Sequence, residues 1–344
     1  MTLMYCNNKC MLLDHSKFIN RLYKNVSDGK EDSVYTLVRI LYSIQNSKKT
    51  VKRKRSHNSS ELLDETMAVR QMYETFLIEL PTEFKDCAKL TEPIDTSAVR
   101  DHANKLFEST VFGHTGISGG NNSDTPLKCQ VRGEEFLIPR NSRFFCGCVK
   151  EECKKLDGCQ FDILIADPPW WNKYIRRLKG ANDKLSYSMM YNEDIASIPL
   201  KNLLSPNCLV AVWCTNAPSN IDAIKNTIFP QWGVTYVTTW YWLKVTVDLK
   251  PLCPFGVGCM KQPYERVMIG RVGDVDIPES QLIVSVPSAL HSHKPPLLDL
   301  LTPLVKTQNP QTLELFARYL LPNTTSIGFE PLKWQHISLF EKIS

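Results

Sequence analysis

The stretch FDILIADPPW, residues 161–170, decides the fold of this chain. Its first six residues form a short apolar run, which is typical of a β-strand buried on both faces. Three similar runs, each bounded by Pro, Gly or Asn, follow at Cys208–Trp213, Val267–Gly270 and Leu282–Val286. Helix-like stretches lie between or after them, at Asn192–Leu204, Ser219–Ile228 and Pro296–Val305.

This alternation predicts an α/β domain with a mostly parallel sheet that is covered on both faces by helices. In such folds a ligand lies outside the carboxyl ends of the strands. Chemistry is therefore expected directly after each buried strand, and Asp167-Pro168-Pro169-Trp170 follows the first of them.

Composition sets broader limits. The 344 residues, of which 43% are hydrophobic and 22% charged, suffice for two or three soluble domains. No stretch approaches 18 consecutive apolar residues, so no transmembrane helix and no membrane partner are expected. The N-terminus lacks the apolar core of a secretory signal, which favours a protein inside the cell with its 12 cysteines mostly reduced.

The first third reads as helical. Val34, Leu37, Val38 and Leu41 have the spacing of one apolar helix face, and a second helix is predicted over Glu61–Leu80. The Gly/Ser/Asn-rich segment 113–126 is interpreted as a boundary, because it lacks the Gly-Lys-Ser/Thr ending of a phosphate loop. We thus predict a helical N-terminal domain with a basic linker over 1–112, a linker over 113–135 and the α/β domain over 136–344.

The basic run Lys48–Arg55 leaves two interpretations open. It is either a solvated loop or a functional segment, meaning a nuclear localisation signal or an arm that contacts phosphates. A nuclear location is the expectation that follows from the second interpretation, with the cytoplasm as a further location.

Asp167-Pro168-Pro169-Trp170 could simply end a strand, but four features together favour a site. A carboxylate stands at the strand's carboxyl edge, and two prolines make the backbone rigid while leaving its carbonyls free to accept hydrogen bonds. Trp170 offers a flat face for stacking a base. Lys173, Arg176 and Arg177 follow, where they either contact nucleic-acid phosphates or form a solvated loop.

A carboxylate, a free backbone carbonyl and a flat aromatic face are the groups that methylation of an aromatic amine needs. The lone pair of the exocyclic nitrogen of adenine is delocalised into the ring, so the amine is planar and a poor nucleophile. A carboxylate and a carbonyl that accept its two hydrogens favour the pyramidal nitrogen of the transition state.

The chain resembles the eukaryotic adenine-N6 methyltransferases related to the catalytic subunit of the messenger-RNA writer. The resemblance rests on DPPW after a strand, on Tyr264-Glu265, on Ser292-His-Lys-Pro295 and on Leu313-Glu-Leu-Phe-Ala-Arg318, and it spans about 136–336. It implies a circularly permuted Rossmann-like domain, because the DPPW strand precedes the expected cofactor strand. The stretches PNCLVAVWCTN, SVPSALHSHKPP and ELFAR look closest to a branch of the family acting on 2′-O-methyladenosine in small nuclear RNA.

The resemblance also implies roles for residues and S-adenosylmethionine as the cofactor. Asp167 and Pro168 would hold the amine and adjoin the cofactor, Pro169 would complete the motif, Trp170 would stack on the base and Tyr264 would face the substrate. Cofactor contacts are expected from Cys146, Cys148, His293, Lys294, Phe316, Arg318 and Glu330.

Two departures bear on the cofactor. Cys148 stands where relatives carry Asp, and Phe329 stands where many carry Asn, so either a lowered cofactor affinity or rearranged cofactor contacts are expected. RNA is the expected partner and DNA the competing one, and the N-terminal region could replace a partner subunit, which makes a monomer the expected form. A non-catalytic nucleic-acid-binding scaffold and a small-molecule methyltransferase are the alternatives.

Cys146, Cys148, Cys153 and Cys159 place four thiols within fourteen residues. Their spacing is not that of paired Cys-x-x-Cys knuckles, so no metal is expected, and zinc is the minority interpretation.

Overall fold

The computed structural model describes residues 3–27, 32–44, 60–89, 96–109, 114–171, 189–256, 261–290 and 292–343. Within these ranges the chain has an α/β fold in which a large mixed sheet is packed against helices. None of its described helices is long and apolar enough to span a membrane.

The strands of the described residues are numbered in chain order. They are β1 (Leu3–Cys6), β2 (Cys10–Leu13), β3 (Val26–Ser27), β4 (Asp32–Leu37), β5 (Ser118–Asn121), β6 (Leu127–Val131), β7 (Glu134–Ile138), β8 (Ser142–Cys146), β9 (Phe161–Ala166), β10 (Leu204–Cys214), β11 (Thr235–Lys244), β12 (Tyr264–Arg271), β13 (Leu282–Ser285), β14 (Thr312–Leu315), β15 (Thr324–Gly328) and β16 (Phe340–Ile343).

The central sheet has the order β1-β2-β13-β11-β12-β10-β9-β14-β15-β8-β5. The run β10-β9-β14-β15-β8 is parallel throughout, whereas β12 is antiparallel to both of its neighbours. The predicted strand at Phe161–Ala166 is β9, and its Ile163, Leu164 and Ala166 are fully buried. Since β9 precedes β14 in the chain but lies beside it in the sheet, the expected permuted Rossmann-like arrangement is confirmed.

The helices of the described residues are mostly short. They are α1 (His15–Leu22), α2 (Ser60–Glu79), α3 (Thr82–Lys89), α4 (Thr96–Ser109), α5 (Val149–Lys154), α6 (Asn192–Ala196), α7 (Pro218–Ala223), α8 (Phe229–Trp232) and α9 (Leu298–Leu301). A π-helical segment, Ile224–Ile228, joins α7 to α8. The helix predicted to reach Leu204 ends at Ala196, because Pro199 disfavours helical backbone at Ile198 and β10 already begins at Leu204.

The N-terminal region is less helical than predicted. α2 confirms the helix expected over Glu61–Leu80, but the helix expected at Val34–Leu41 is wrong, since β4 occupies Asp32–Leu37. Every second residue of β4 is buried, which is the pattern of a strand. The apolar residues fitted this pattern as well as a helical spacing, and the strand formed. β2 pairs with β13 in the central sheet, so this region shares the sheet of the α/β domain.

A second sheet, β16-β4-β3-β6-β7, also joins the two ends of the described chain. β16 pairs with β4, and Phe18 and Tyr23 lie in one apolar cluster with Trp334 and Leu339. The predicted boundaries at 112 and 136 therefore do not separate two independent cores in the described residues.

The segment interpreted as a linker is ordered into strands. β5 pairs antiparallel with β8 at the edge of the central sheet, where Gly119 and Gly120 allow close approach. A Cβ at Gly120 would lie 2.2 Å from the carbonyl oxygen of Ser142. The glycines that indicated a flexible boundary thus serve a tight strand contact.

Candidate active site

The parallel strands bring the predicted motif residues to one edge of the sheet. Asp167 follows β9, Phe316 follows β14, and Phe329 follows β15. Because β12 runs the other way, it begins at this same edge with Tyr264 and Glu265. Residues separated by up to 162 positions in the chain therefore lie at the same edge.

Two adjoining cavities open at this edge. The Phe316 cavity has a volume of about 300 Å³, and the Asp167 cavity one of about 360 Å³. The first is lined by Cys148, Met190, Phe316, Phe329 and Glu330, among others. The second is lined by Asp167, Pro168, Trp170, Asn216, Lys244, Tyr264, Glu265 and Lys294, among others. Pro169, Met189 and Arg318 line both, so the cavities share a wall.

Asp167 lies between two cations. Its Oδ2 is 2.8 Å from Nη1 of Arg318, and its Oδ1 is 3.6 Å from Nζ of Lys294. Lys294 also contacts the carboxylate of Glu265, which in turn contacts Lys244. The charges form one chain from Lys244 to Arg318, so the Asp167 carboxylate is held in one orientation.

Burial and ion pairing together set the pKa values of Glu265 and Lys294. Burial alone would raise the pKa of Glu265, but Lys294 and Lys244 outweigh it and hold that pKa below the ordinary range. Burial would lower the pKa of Lys294, yet Asp167 and Glu265 raise it above the usual value. Glu265 and Lys294 are therefore both charged around neutral pH.

The backbone of the DPPW motif is fixed by hydrogen bonds. The Trp170 N–H donates to the Pro168 carbonyl at 2.8 Å, and the Met190 N–H donates to the Pro169 carbonyl at 2.9 Å. A carbonyl oxygen has two lone pairs, so Pro168 can accept one further hydrogen bond in the cavity. The Trp170 indole donates to the Trp213 carbonyl at 3.0 Å, and the side chain is only 6% exposed. Its proposed stacking on a base stays a prediction.

The turn after β14 aims Arg318 at Asp167. Phe316 has a left-handed backbone with φ of 61°, and the Ala317 N–H donates to the Ile327 carbonyl at 3.0 Å. A Cβ at Gly328 would lie 3.0 Å from the Ala317 backbone, so this close approach favours glycine.

Glu330 provides a buried carboxylate at the Phe316 cavity. Its oxygens are 3.3 Å from Nζ of the equally buried Lys333, and one is 3.9 Å from Nε of Arg318. A carboxylate accepts hydrogen bonds from sugar hydroxyls, and Phe316 and Phe329 offer apolar rings to a base. These lining residues and the cavity volume fit the adenosyl part of S-adenosylmethionine.

The other predicted residues fall into three groups. Cys148 and Phe329 line the Phe316 cavity, so both departures from the family pattern lie where a cofactor contact was expected. Cys146 is buried in an apolar cluster and is not among the lining residues of either cavity. Lys173, Arg176 and Arg177, like the basic run Lys48–Arg55, lie outside the described residues.

His293 and Lys294 take different places from those expected. Lys294 lines the Asp167 cavity and not the Phe316 cavity. His293 is buried behind the site, with Nδ1 3.3 Å from the Tyr42 hydroxyl and its ring against His15. Burial lowers the pKa of His293 to about 3, which keeps the ring neutral. Among the described residues, no group of three or more His, Cys, Asp or Glu side chains is placed to hold a metal ion.

Some residues of the site were missed from the sequence. Asn216 follows β10 closely, so the rule that located Asp167 would also have found it. Lys244 is the last residue of β11, in which Trp240 and Trp242 are buried, and nothing in this local pattern indicates that the lysine faces a cavity. Glu265 stands at the start of an antiparallel strand, and strand direction is not readable from an apolar run.

The chain matches known proteins over this region. Residues 161–330 match the family model MT-A70. The human N(6)-adenine-specific methyltransferase METTL4 is 37% identical over 234 residues, which are 64% of this chain and 48% of the human protein. The chain thus spans about half the length of that relative.

Two further relatives differ in the substrate that their names state. A DNA N6-methyl methyltransferase of Caenorhabditis elegans is 37% identical over 216 residues, 61% of this chain and 57% of that protein. An N6-methyladenosine RNA methyltransferase, MTA1, of Cryphonectria parasitica is 35% identical over 207 residues, 58% of this chain and 60% of that protein.

Proposed function

Because the chain belongs to the MT-A70 family, we propose that it transfers a methyl group from S-adenosylmethionine to the N6 amine of adenine in a nucleic acid. The observation that carries this proposal is the wall shared by the two cavities. Asp167 and Arg318 stand 2.8 Å apart at the point where the cavities meet. A methyl donor in the first cavity and an amine in the second would meet beside this pair.

The Phe316 cavity is proposed to hold the cofactor. Glu330 would accept hydrogen bonds from the ribose hydroxyls, and Phe316 and Phe329 would contact the adenine. When bound, S-adenosylmethionine supplies a methyl group on a positively charged sulfur. Lys333, buried beside Glu330, holds the carboxylate in place for the sugar.

The Asp167 cavity is proposed to hold the target adenine. Asp167 and the Pro168 carbonyl accept the two hydrogens of the amine and favour a pyramidal nitrogen, whose lone pair is then available. Arg318 and Lys294 keep the Asp167 carboxylate from rotating away. An adenine within a duplex must be flipped out or presented as a single strand to enter.

We further propose RNA as the substrate class, and 2′-O-methyladenosine in small nuclear RNA as the target. The proposal is supported by the stretches around residues 206–216, 285–296 and 314–318 that resemble the corresponding branch of the family. A nuclear location and action as a monomer belong to the same proposal. DNA is the competing substrate, since relatives of similar identity are named for either nucleic acid.

The test is methyl transfer from labelled S-adenosylmethionine by the full chain. Matched RNA and DNA oligonucleotides are compared, each RNA with and without a 2′-O-methyl group on the target adenosine. N6-methyladenine formation in RNA, increased by the 2′-O-methyl group and lost in Asp167→Ala, is the expected result.

Two outcomes contradict the proposal. Preferred methylation of DNA would overturn RNA as the substrate class, but the proposed methyl transfer to adenine N6 would stand. No transfer to any oligonucleotide, together with no cofactor binding in calorimetry, would favour a non-catalytic scaffold in which Cys148 and Phe329 have removed the cofactor site.

A further inference from the structure

Helix α2, which lies outside the segment that matches the family, contacts the start of β12. The Arg266 side chain is 1% exposed and meets the Glu65 carboxylate through two nitrogens, with Nε donating to Oε2 at 3.1 Å and Nη2 donating to Oε1. The Tyr264 hydroxyl lies 3.2 Å from Oε1 of Glu65 and 3.1 Å from the Thr66 hydroxyl. A helix of the N-terminal region is thus bonded to residues at the Asp167 cavity.

The same arginine determines how Asn216 is oriented. Nη1 of Arg266 donates to Oδ1 of Asn216 at 2.5 Å. A guanidinium only donates hydrogen bonds, so the amide oxygen must face Arg266 and the amide nitrogen must face the other way. Asn216 lines the Asp167 cavity, and within the described part of the chain Nδ2 makes no hydrogen bond.

We propose that Asn216 recognises a ring nitrogen of the target adenine, and that Glu65 is a positioning residue that acts on it through Arg266. This inference rests on the proposed function of the Asp167 cavity. The ring nitrogens of adenine accept hydrogen bonds, and an asparagine NH₂ group is a neutral donor that suits them. Among the charged donors that line the cavity, Lys244 and Lys294 are instead paired with Glu265, and Arg318 is paired with Asp167.

Glu65 begins a series of contacts that runs through Arg266 to Asn216. Without its carboxylate, the buried guanidinium would lose two of its acceptors and could turn toward other oxygens of the site. Asn216 would then lose the contact that sets its amide orientation. The Tyr264 hydroxyl, also held by Glu65, would be released at the same time.

The variant that separates recognition from structure is Asn216→Asp. An aspartate has the same size and still accepts from Arg266, but it replaces the donor that faces the cavity by an acceptor. If Asn216 served only to hold Arg266, this variant would retain activity. We expect kcat/KM for the oligonucleotide to fall at least about tenfold, since a donor is replaced by an acceptor, with an unchanged cofactor Kd.

The second measurement uses oligonucleotides in which the target base is 1-deaza-, 3-deaza- or 7-deazaadenine. One of these should lower kcat/KM of the wild-type chain about tenfold, because it removes the acceptor that Asn216 contacts. In Asn216→Asp and Asn216→Ala the same analogue should change kcat/KM by less than about twofold, as expected when both changes remove one interaction.

Glu65→Gln tests the positioning role. It should raise KM for the oligonucleotide and reduce the discrimination against the same analogue, while the cofactor Kd stays that of the wild type. Glu74→Ala is the matched control, because Glu74 lies on the same helix and, among the described residues, pairs only with the exposed Arg70. It should behave like the wild type in every assay.

Equal discrimination against all three analogues by wild type and Asn216→Asp would overturn the recognition by Asn216. Wild-type discrimination in Glu65→Gln would overturn the role of Glu65 alone. A wild-type chain that methylates no adenine would instead refute the proposed function, so the two failures are distinguishable.

Discussion

The two cavities differ in what lines them and in how they are built. The Phe316 cavity has thioether and aromatic walls with one buried carboxylate, Glu330. The Asp167 cavity is lined by an ion-pair chain from Lys244 to Arg318. The first fits a ligand mainly by shape, and the second fits one by charge and hydrogen bonding.

The difference extends to the elements that support them. The aromatic wall of the Phe316 cavity comes from residues that follow the parallel strands β14 and β15. The Asp167 cavity also needs the antiparallel β12 and, through Glu65, helix α2. The cavity proposed for the cofactor is thus built by parallel strands of the family segment, whereas the cavity proposed for the substrate also draws on a helix outside that segment.

Arg318→Met should have the largest effect, because Arg318 lines both cavities and its charge is paired with Asp167. We expect kcat/KM to fall about 1000-fold, since Asp167 loses its 2.8 Å partner at the reacting amine. Methyl transfer and calorimetric cofactor binding are the measurements. Arg271→Met, at the far end of β12, is the control, and equal loss in both variants would contradict the assignment.

Arg266→Ala should damage only the Asp167 cavity. Removing one member of a buried pair leaves Glu65 without its charge partner, and we expect the free energy of unfolding to fall by about 3 kcal/mol. Chemical denaturation measures this free energy. Arg70→Ala is the control, because the exposed Arg70–Glu74 pair on the helix that carries Glu65 contributes only about 0.4 kcal/mol. An equal fall in the free energy of unfolding of both variants would show that the buried pair stabilises the chain no more than the exposed pair.

Glu330→Gln should affect mainly the Phe316 cavity. It replaces the carboxylate proposed for the ribose by a weaker acceptor and removes the anion that lies 3.3 Å from Lys333. We expect the cofactor Kd to rise about tenfold, while KM for the oligonucleotide changes by less than about twofold. Calorimetry and steady-state kinetics give the two numbers, and a change in KM alone would refute the assignment of the cavities.

Glu314 on β14 gives the smallest effect, which appears as a pH dependence of stability. Burial raises the pKa of Glu314 to about 8, with Asp167 adding to the rise and Arg318 opposing it. The folded chain therefore binds this proton more tightly than the unfolded chain, so stability falls as the pH rises from the unfolded pKa of 4.5 to about 8.

Glu314→Gln should remove this dependence. Relative to the wild type, the variant should gain about 1 kcal/mol between pH 7 and pH 8. Denaturation at the two pH values measures the difference. An identical pH dependence in wild type and variant would show that Glu314 is not protonated in the folded chain.

The linear pattern of the sequence was sufficient for β9, β10, β12 and β13 and for the place of the motif. Phe161–Ala166 is apolar throughout because both faces of β9 are buried, and such a run can be recognised without knowing its neighbours. Asp167 could be found because the carboxyl end of a buried strand is a local feature. The same local reasoning failed at Val34–Leu41, where one set of apolar residues fitted both a helix and the strand β4.

What the sequence by itself determined about this protein is its fold class and the place of the DPPW motif at the carboxyl end of a buried strand. Each depends on spacing within one strand or one turn. Only the tertiary structure decided that Lys294 faces the Asp167 cavity, that β5 is a strand and that Glu65 reaches Arg266 across 201 positions. The physical reason is that these contacts depend on strand order and direction, which are set by the packing of distant segments and leave no periodic signal in the chain.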